Sequence, residues 1–250
     1  MSEIIYQKSK GLTDAPLTYC PGCTHGIIHK LVAEVLEELG LLDKSIGLAS
    51  VGCSVMAYDF FDFDMVQAAH GRACAVATGI KRTNQDKIVF TYQGDGDLAS
   101  IGLGETIHAA NRGENITVIF VNNANFGMTG GQMAPTTLIG QKTTTSQFGR
   151  SAEEHGMPIL ISEMFATIPA VAYVERVSLT SPARVKKARQ SIKKAFEYQI
   201  AKKGFTIIEF LSTCPVNWGM TPFEALKFID NVTAKYYKPG VFKDVGEKND

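Results

Sequence analysis

"VFTYQGDGDLASIG", residues 89–102, decides the fold. It opens as an apolar, β-branched and aromatic run, the composition of a buried strand. It stops at Gly94-Asp95-Gly96-Asp97 and passes into a small-residue helical pattern. A strand, a glycine turn and a helix in that order begin a βα unit. Two carboxylates between glycines at a strand mouth repel each other unless something cationic lies there.

The same alternation extends to both sides. "GIIHKLVAEVLEELG" (26–40) places Ile27, Ile28, Leu31, Val32, Val35, Leu36 and Leu39 at helical spacing, with Gly40 as its C-terminal stop. "SIGLASVG" (45–52) reads as a short buried strand, and "AAHGRACAVATGIKR" (68–82) as a closely packed helix. "KIVFTYQG" (87–94) is a strand, and "LASIGLGETIHAANRG" (98–113) a helix closed by Gly113. "NITVIFVNN" (115–123) is apolar on both faces, as a buried parallel strand should be. A Gly/Thr-rich loop runs from about Asn125 to Arg150. The strand "AYVERVSL" (172–179), a helix over 181–204 with Ser181 capping and Pro182 in the first turn, and the strand "FTIIEFLS" (205–212) follow. The tail "KDVGEKND" (243–250) is polar and expected to fray. The pattern predicts an α/β fold, a mostly parallel sheet flanked by helices, in a single domain over 1–250.

Composition excludes several classes. Apolar residues are 45% and charged residues 20%, a globular balance. The 25 Lys and Arg equal the 25 Asp and Glu, and no basic stripe points to nucleic acid. No apolar run approaches the roughly 20 residues that span a bilayer. "MSEIIYQKSKGLTD" carries no apolar signal core, so the expected location is the cytoplasm. Thiols stay reduced there, and the five cysteines are not expected to form disulfides.

"GDGDLA" (94–99) formally matches a dinucleotide fingerprint. That reading fails on charge, because Asp95 and Asp97 would face the pyrophosphate. The next strand also ends in two amides, Asn122 and Asn123, where a ribose would want an acid. A hard cation such as Mg²⁺ resolves both points, since it takes carboxylate and carbonyl oxygens together with substrate phosphates. Asp95 would supply a carboxylate, Asn123 a side-chain carbonyl, and the chain near Asn125 a backbone carbonyl. The plainer alternative is a tight turn with a helix-capping Asp.

Cys20 and Cys23 form "YCPGCTHG", which could be a redox dithiol, half a zinc site or half an iron–sulfur site. Cys53 in "ASVGCSV" and Cys214 in "LSTCPVNWG" each follow a strand pattern. Four thiolates suit tetrahedral zinc or a [4Fe–4S] cluster. One close pair and two distant singles lean toward the cluster. Cys74 in "RACAVAT" reads as core filling.

"GDGD" followed by "NNANFGMTGGQMAPTT" (122–137) resembles the thiamine diphosphate motif of the β subunits of 2-oxoacid:ferredoxin oxidoreductases. The resemblance implies the diphosphate-binding half of a thiamine diphosphate fold, with Mg²⁺ on Asp95, Asn123 and the Asn125 backbone. It implies cofactor contacts at Gly94, Gly96 and Asp97, a diphosphate loop at Gly127, Met128 and Thr129, and a contact from His70, which by itself reads as a structural histidine. Cys53 and Ser54 would lie between cofactor and cluster. A [4Fe–4S] cluster on Cys20, Cys23, Cys53 and Cys214 follows, with an N-terminal cluster-binding arm over about 1–25.

The implied reaction is 2-oxoacid plus coenzyme A plus oxidised ferredoxin giving acyl-CoA, CO₂ and reduced ferredoxin. Thiamine acts as the electron sink, and the cluster takes electrons one at a time. The activating glutamate is expected from a partner subunit, the partners being α, γ and δ subunits of the same complex, so the chain alone should be inactive. The segment 54–73 carries Tyr58, Phe60, Phe61, Phe63 and His70, either a core segment or a pocket wall. No basic residue between Cys53 and His70 would pair with a second carboxylate. With "LSTCPVNWGMTPFEAL" it is most similar to the branched-chain, 2-oxoisovalerate members, ahead of 2-oxoglutarate or pyruvate ones. Asn125-Phe126 departs from the family's usual residues and bears on pocket shape. Competing readings are a non-redox thiamine enzyme and a zinc-stapled interaction subunit.

Overall fold

The structure, a computed structural model, describes residues 6–246. Seven strands among them form one sheet: β1 (Ser45–Ala49), β2 (Asp64–Gln67), β3 (Ile88–Gly94), β4 (Thr117–Asn122), β5 (Val171–Ser178), β6 (Phe205–Leu211) and β7 (Gly240–Asp244). Their order is β2-β1-β3-β4-β6-β5-β7. All neighbours are parallel except β7, which runs antiparallel to β5.

The central strands read as continuous apolar runs because both their faces are covered. Phe90, Tyr92, Ile119 and Phe210 pack on one face under the helices His25–Glu38 and Pro182–Ile200. Val89, Phe120 and Ile207 pack on the other, under Ala73–Thr83, Leu103–Asn111 and Ile161–Ala166. The helix ends at Gly40 and Ser181 form where the sequence predicts. The Gly40 N–H reaches the Glu37 carbonyl at 2.9 Å with φ +66°. The Ser181 side chain accepts from the Arg184 N–H ahead of Pro182.

Two helices differ from expectation. The "AAHGRACAVATGIKR" helix begins only at Ala73, because Gly71 sits at φ +75° with its Cα face pressed on the Ile101 backbone. A Cβ there would lie 2.8 Å from the Ile101 carbonyl carbon. The "LASIGLGETIHAANRG" helix is likewise broken. A π turn spans Asp97–Ile101, the Gly102 N–H bonds the Asp97 carbonyl at 2.8 Å, and regular helix starts at Leu103. Both irregularities serve one close approach of backbone to backbone.

The phenylalanines of the aromatic segment pack into the core, while Tyr58 is exposed. Phe60 and Phe61 are buried, and Phe61 stacks on Phe63 at 4.8 Å and meets Phe90 edge-on at 6.1 Å. The expected frayed tail is corrected in part. Lys243 and Asp244 belong to β7, where Lys243 pairs with Val174 and Asp244 with Tyr173, and the Lys243 ammonium caps the Ile168 carbonyl at 2.6 Å. Residues 247–250 of that tail and 1–5 of the arm lie outside the described residues. No helix among the described residues is long and apolar enough to cross a membrane.

Candidate active site

β1, β3, β4 and β6 are successive in the sheet, so the loops leaving their C-terminal ends lie side by side. Those loops carry Val51–Ser54, Gly94–Asp97, Asn123–Thr129 and Cys214. One cleft at this rim is lined by Cys53, Ser54, His70, Gly94, Asp95, Gly96, Asp97, Asn123, Asn125, Gly127, Met128 and Thr129. The cleft thus brings together every residue expected from the sequence to contact the cofactor. It adds His25, Val51, Gly52 and Phe126, the last foreshadowed only as a departure in pocket shape.

The two aspartates differ in what they touch. Asp95 is buried, with Oδ1 accepting from the Gly96 N–H at 2.8 Å and Oδ2 from the Thr136 hydroxyl at 2.6 Å. Burial pushes its carboxyl up to about 7 despite those donors. Asp97 is saturated from inside the protein. Its Oδ1 accepts from His70 Nδ1 and the Gly71 N–H, both at 2.6 Å, and its Oδ2 from Gln93 Nε2 at 2.6 Å. Asp97 therefore holds His70 at the cleft instead of offering a free carboxylate to it.

Asn123 and Asn125 flank Ala124, which lies in the left-handed region at φ +58°. An alanine there costs roughly 1–2 kcal/mol, a strain that surrounding contacts must hold. The turn directs the Asn123 Oδ1 toward the Asn125 N–H at 3.3 Å. The buried Asn125 Oδ1 has no hydrogen-bond partner within the protein.

Cys53 and Cys214 lie beside this turn, both near Gly127. The N-terminal arm is fastened to the end of β6 by Thr24 Oγ1 to Ser212 Oγ at 2.6 Å and by the Thr213 hydroxyl donating to the Gly22 carbonyl at 2.6 Å. That brings Cys20 and Cys23 toward Cys214. Burial raises the Cys23 thiol to about 12 and Cys53 to about 11, and in each case the other thiols add repulsion of the charged form. Burial also raises Cys214. Among the described residues no three His, Cys, Asp or Glu side chains are arranged to hold a single metal ion. Cys74 is buried apart from this group, its thiol 3.2 Å from Gln93 Oε1.

Behind Cys53 lies a ring stack absent from the sequence expectations. Tyr19 stacks on His25 at 4.7 Å, and its hydroxyl donates to the Cys53 carbonyl at 3.1 Å. That hydroxyl then accepts from His29 Nε2 at 2.8 Å, which leaves the buried His29 Nδ1 without a partner. His25 Nδ1 bonds the Tyr92 hydroxyl at 2.7 Å. The only available hint was the position of His25 just after the cysteine pair. Thr136, which supports Asp95, left no signal beyond a Thr-Thr pair.

Residues 50–210 match the family described as thiamine pyrophosphate enzyme, C-terminal TPP binding domain. The chain is 47% identical to the ketoisovalerate oxidoreductase subunit VorA of Methanothermobacter thermautotrophicus, over 96% of this chain and 50% of that protein. It is 34% identical to the 2-oxoglutarate synthase subunit KorB of Archaeoglobus fulgidus, over 91% of this chain and 85% of that protein. A solved 2-oxoglutarate:ferredoxin oxidoreductase from Magnetococcus marinus, with 2-oxoglutarate, coenzyme A and succinyl-CoA bound, superposes with a TM-score of 0.76 at 26% identity. That match covers 94% of this chain and 83% of the solved one. The chain spans about half the length of the ketoisovalerate oxidoreductase subunits it matches. A strand-end aspartate and asparagine on one cleft, together with these matches, assign the family: the chain belongs to the thiamine pyrophosphate-binding subunits of the 2-oxoacid:ferredoxin oxidoreductases.

Proposed function

We propose that this chain binds thiamine diphosphate, Mg²⁺ and a [4Fe–4S] cluster in a cytoplasmic complex with α, γ and δ subunits. The complex carries out CoA-dependent oxidative decarboxylation of a branched-chain 2-oxoacid, 2-oxoisovalerate, and passes the electrons to ferredoxin. The same chemistry on 2-oxoglutarate or pyruvate is the alternative. The observation that carries the reading is the position of Gly127. A Cβ there would lie 3.2 Å from Cys53 Sγ, 3.5 Å from Asn123 Nδ2 and 3.7 Å from Cys214 Sγ. One residue without a side chain separates the metal-ligand candidate from two cluster-ligand candidates.

The residues present fit these groups. A carboxyl as buried as Asp95 holds a proton near neutrality, and a bound divalent cation is what would keep it ionised. The unpartnered Asn125 Oδ1 and the Asn123 and Asn125 carbonyls are hard oxygen donors, as Mg²⁺ prefers. Cys214, Cys53 and Cys20 lie near enough to Cys23 to disfavour its charged form, and four such thiols suit a [4Fe–4S] cluster. When bound, thiamine diphosphate supplies the electron sink for decarboxylation and the cluster accepts electrons singly.

The remaining work belongs to side chains. Asp95, Asn123 and the Asn125 backbone would hold the cation, and Gly127, Met128 and Thr129 would border the diphosphate. Asp97 fixes the tautomer of His70, whose Nδ1–H it accepts. Both cleft aspartates are engaged by protein donors, so the carboxylate that activates the coenzyme is assigned to the partner subunit. No Lys or Arg lines the cleft, which suits an apolar oxoacid better than a dicarboxylate. The described domain would act as one unit, with the arm around Cys20 and Cys23 closing the cluster site.

The test is acyl-CoA formation by the reconstituted complex on 2-oxoisovalerate, 2-oxoglutarate and pyruvate, with iron counted per chain. Preference for 2-oxoisovalerate and about four irons support the reading. A colourless zinc protein, or turnover by this chain alone, would sink it.

A further inference from the structure

Behind the cleft lies a row of buried charge that the proposed chemistry does not use. Arg176 on β5 is fully buried. Its Nε donates to Glu209 Oε2 at 2.8 Å, and its other nitrogens donate to Glu163 at 2.9 and 2.6 Å. Glu209, on β6, also accepts from the Ser162 hydroxyl, at 2.5 Å. Its remaining oxygen, Oε1, accepts from Asn122 Nδ2 at 2.7 Å. Asn122 ends β4, and its Oδ1 accepts from the Ala124 N–H at 3.2 Å. From Arg176 the row therefore runs, without a break, into the left-handed residue between Asn123 and Asn125.

A second branch leaves the same arginine. Its guanidinium lies over the Tyr237 ring at 5.2 Å. The Tyr237 hydroxyl donates to the Thr136 carbonyl at 2.7 Å, and the Thr136 hydroxyl donates to Asp95 Oδ2 at 2.6 Å. One buried cation thus leads by two routes to both halves of the candidate metal site.

Burying an arginine and the Glu209 carboxylate is costly, and replacing such a pair with packed apolar residues is often neutral or stabilising. Stability alone does not account for it. An alanine at φ +58° needs an outside constraint, and the Asn122 side chain bonds the N–H of that very residue. We propose that the Arg176–Glu209–Asn122 row is a positioning brace that sets the turn at Ala124, and through it the affinity of the cleft for a divalent cation with its diphosphate. The inference rests on the coenzyme reading above.

The experiment uses the complex containing this chain, stripped of metal and coenzyme and then titrated with Mn²⁺ and thiamine diphosphate. Kd and Tm are measured for wild type, Asn122→Ala, Glu209→Gln, and each of these combined with Ala124→Gly. Outer partners of metal ligands set affinity by 10–100-fold, so Asn122→Ala is expected to weaken binding about tenfold. Glycine adopts the left-handed turn without strain, so Ala124→Gly should recover most of that loss while leaving Tm low. A purely structural role would give no such selective rescue. If Asn122→Ala does not fold, Glu209→Gln, which preserves shape, is read in the same way. Wild-type affinity in both single variants, or no rescue by Ala124→Gly, overturns the brace. Failure of the wild type to bind Mn²⁺ with thiamine diphosphate overturns the coenzyme reading and the brace with it.

Discussion

His70 Nδ1 and the Gly71 N–H converge on one oxygen of Asp97, each at 2.6 Å, although Asp97 lies 27 residues further along the chain from His70. The contact joins the loop before one helix to the π turn before another. Asp97→Asn would set an amide donor against a site built of donors. The expected cost is about 1–3 kcal/mol of stability, read from the denaturant midpoint. An unchanged midpoint would mean that the contact is dispensable.

Gly127→Ala places a methyl group 3.2 Å from Cys53 Sγ, tighter than ordinary packing, on a backbone outside the left-handed region. The fold should survive. Iron per chain and visible absorbance should fall after anaerobic reconstitution, while Cys74→Ala should leave both at wild-type values. Equal iron in the two variants would separate Gly127 from the cluster.

Cys20 is the exposed member of the four thiols, and no cleft contact depends on it. Cys20→Ser should leave thiamine diphosphate binding within about threefold, well short of the tenfold or greater loss seen when ligand support is removed. Ferredoxin reduction should be abolished. Loss of coenzyme binding with electron transfer preserved would reverse the assigned roles.

His29 supplies a pH dependence. Burial first, and neighbouring His25 second, hold its pKa well below the ordinary 6.5. The folded state therefore keeps His29 neutral, while the unfolded chain takes up a proton below about pH 6.5. Its contribution to stability is complete above that pH and is lost as pH falls, at up to about 1.4 kcal/mol per unit. His29→Phe should flatten the acid side of a plot of unfolding free energy against pH. An unchanged acid slope would exclude His29 as its source.

Strand and helix periodicity made the sheet legible from the sequence, because β3, β4 and β6 are apolar on both faces and bounded by glycine or polar turns. The cleft was legible because its residues sit in short motifs at strand ends. What the sequence did not reveal depends on long-range pairing. The edge strand Asp64–Gln67 is half exposed and lies inside a segment with no clean alternation. β7 is defined by its partner β5, not by its own composition. Arg176, Glu209 and Asn122 are spread over three strands, and no local pattern marks an arginine that will end up wholly buried. The helices after Gly71 and Gly102 are shorter than their periodicity predicts, because close backbone contact, unlike propensity, leaves only glycines behind.

The sheet has a working rim and an idle one. Every loop that borders the cleft leaves the C-terminal end of a strand, while the turn at Gln85-Asp86, which leads into β3, is exposed at the opposite end. Foreign sequence spliced into that turn would emerge on the side away from the thiols. The molecule thus offers a place to tether a linker or a reporter without obstructing the cleft.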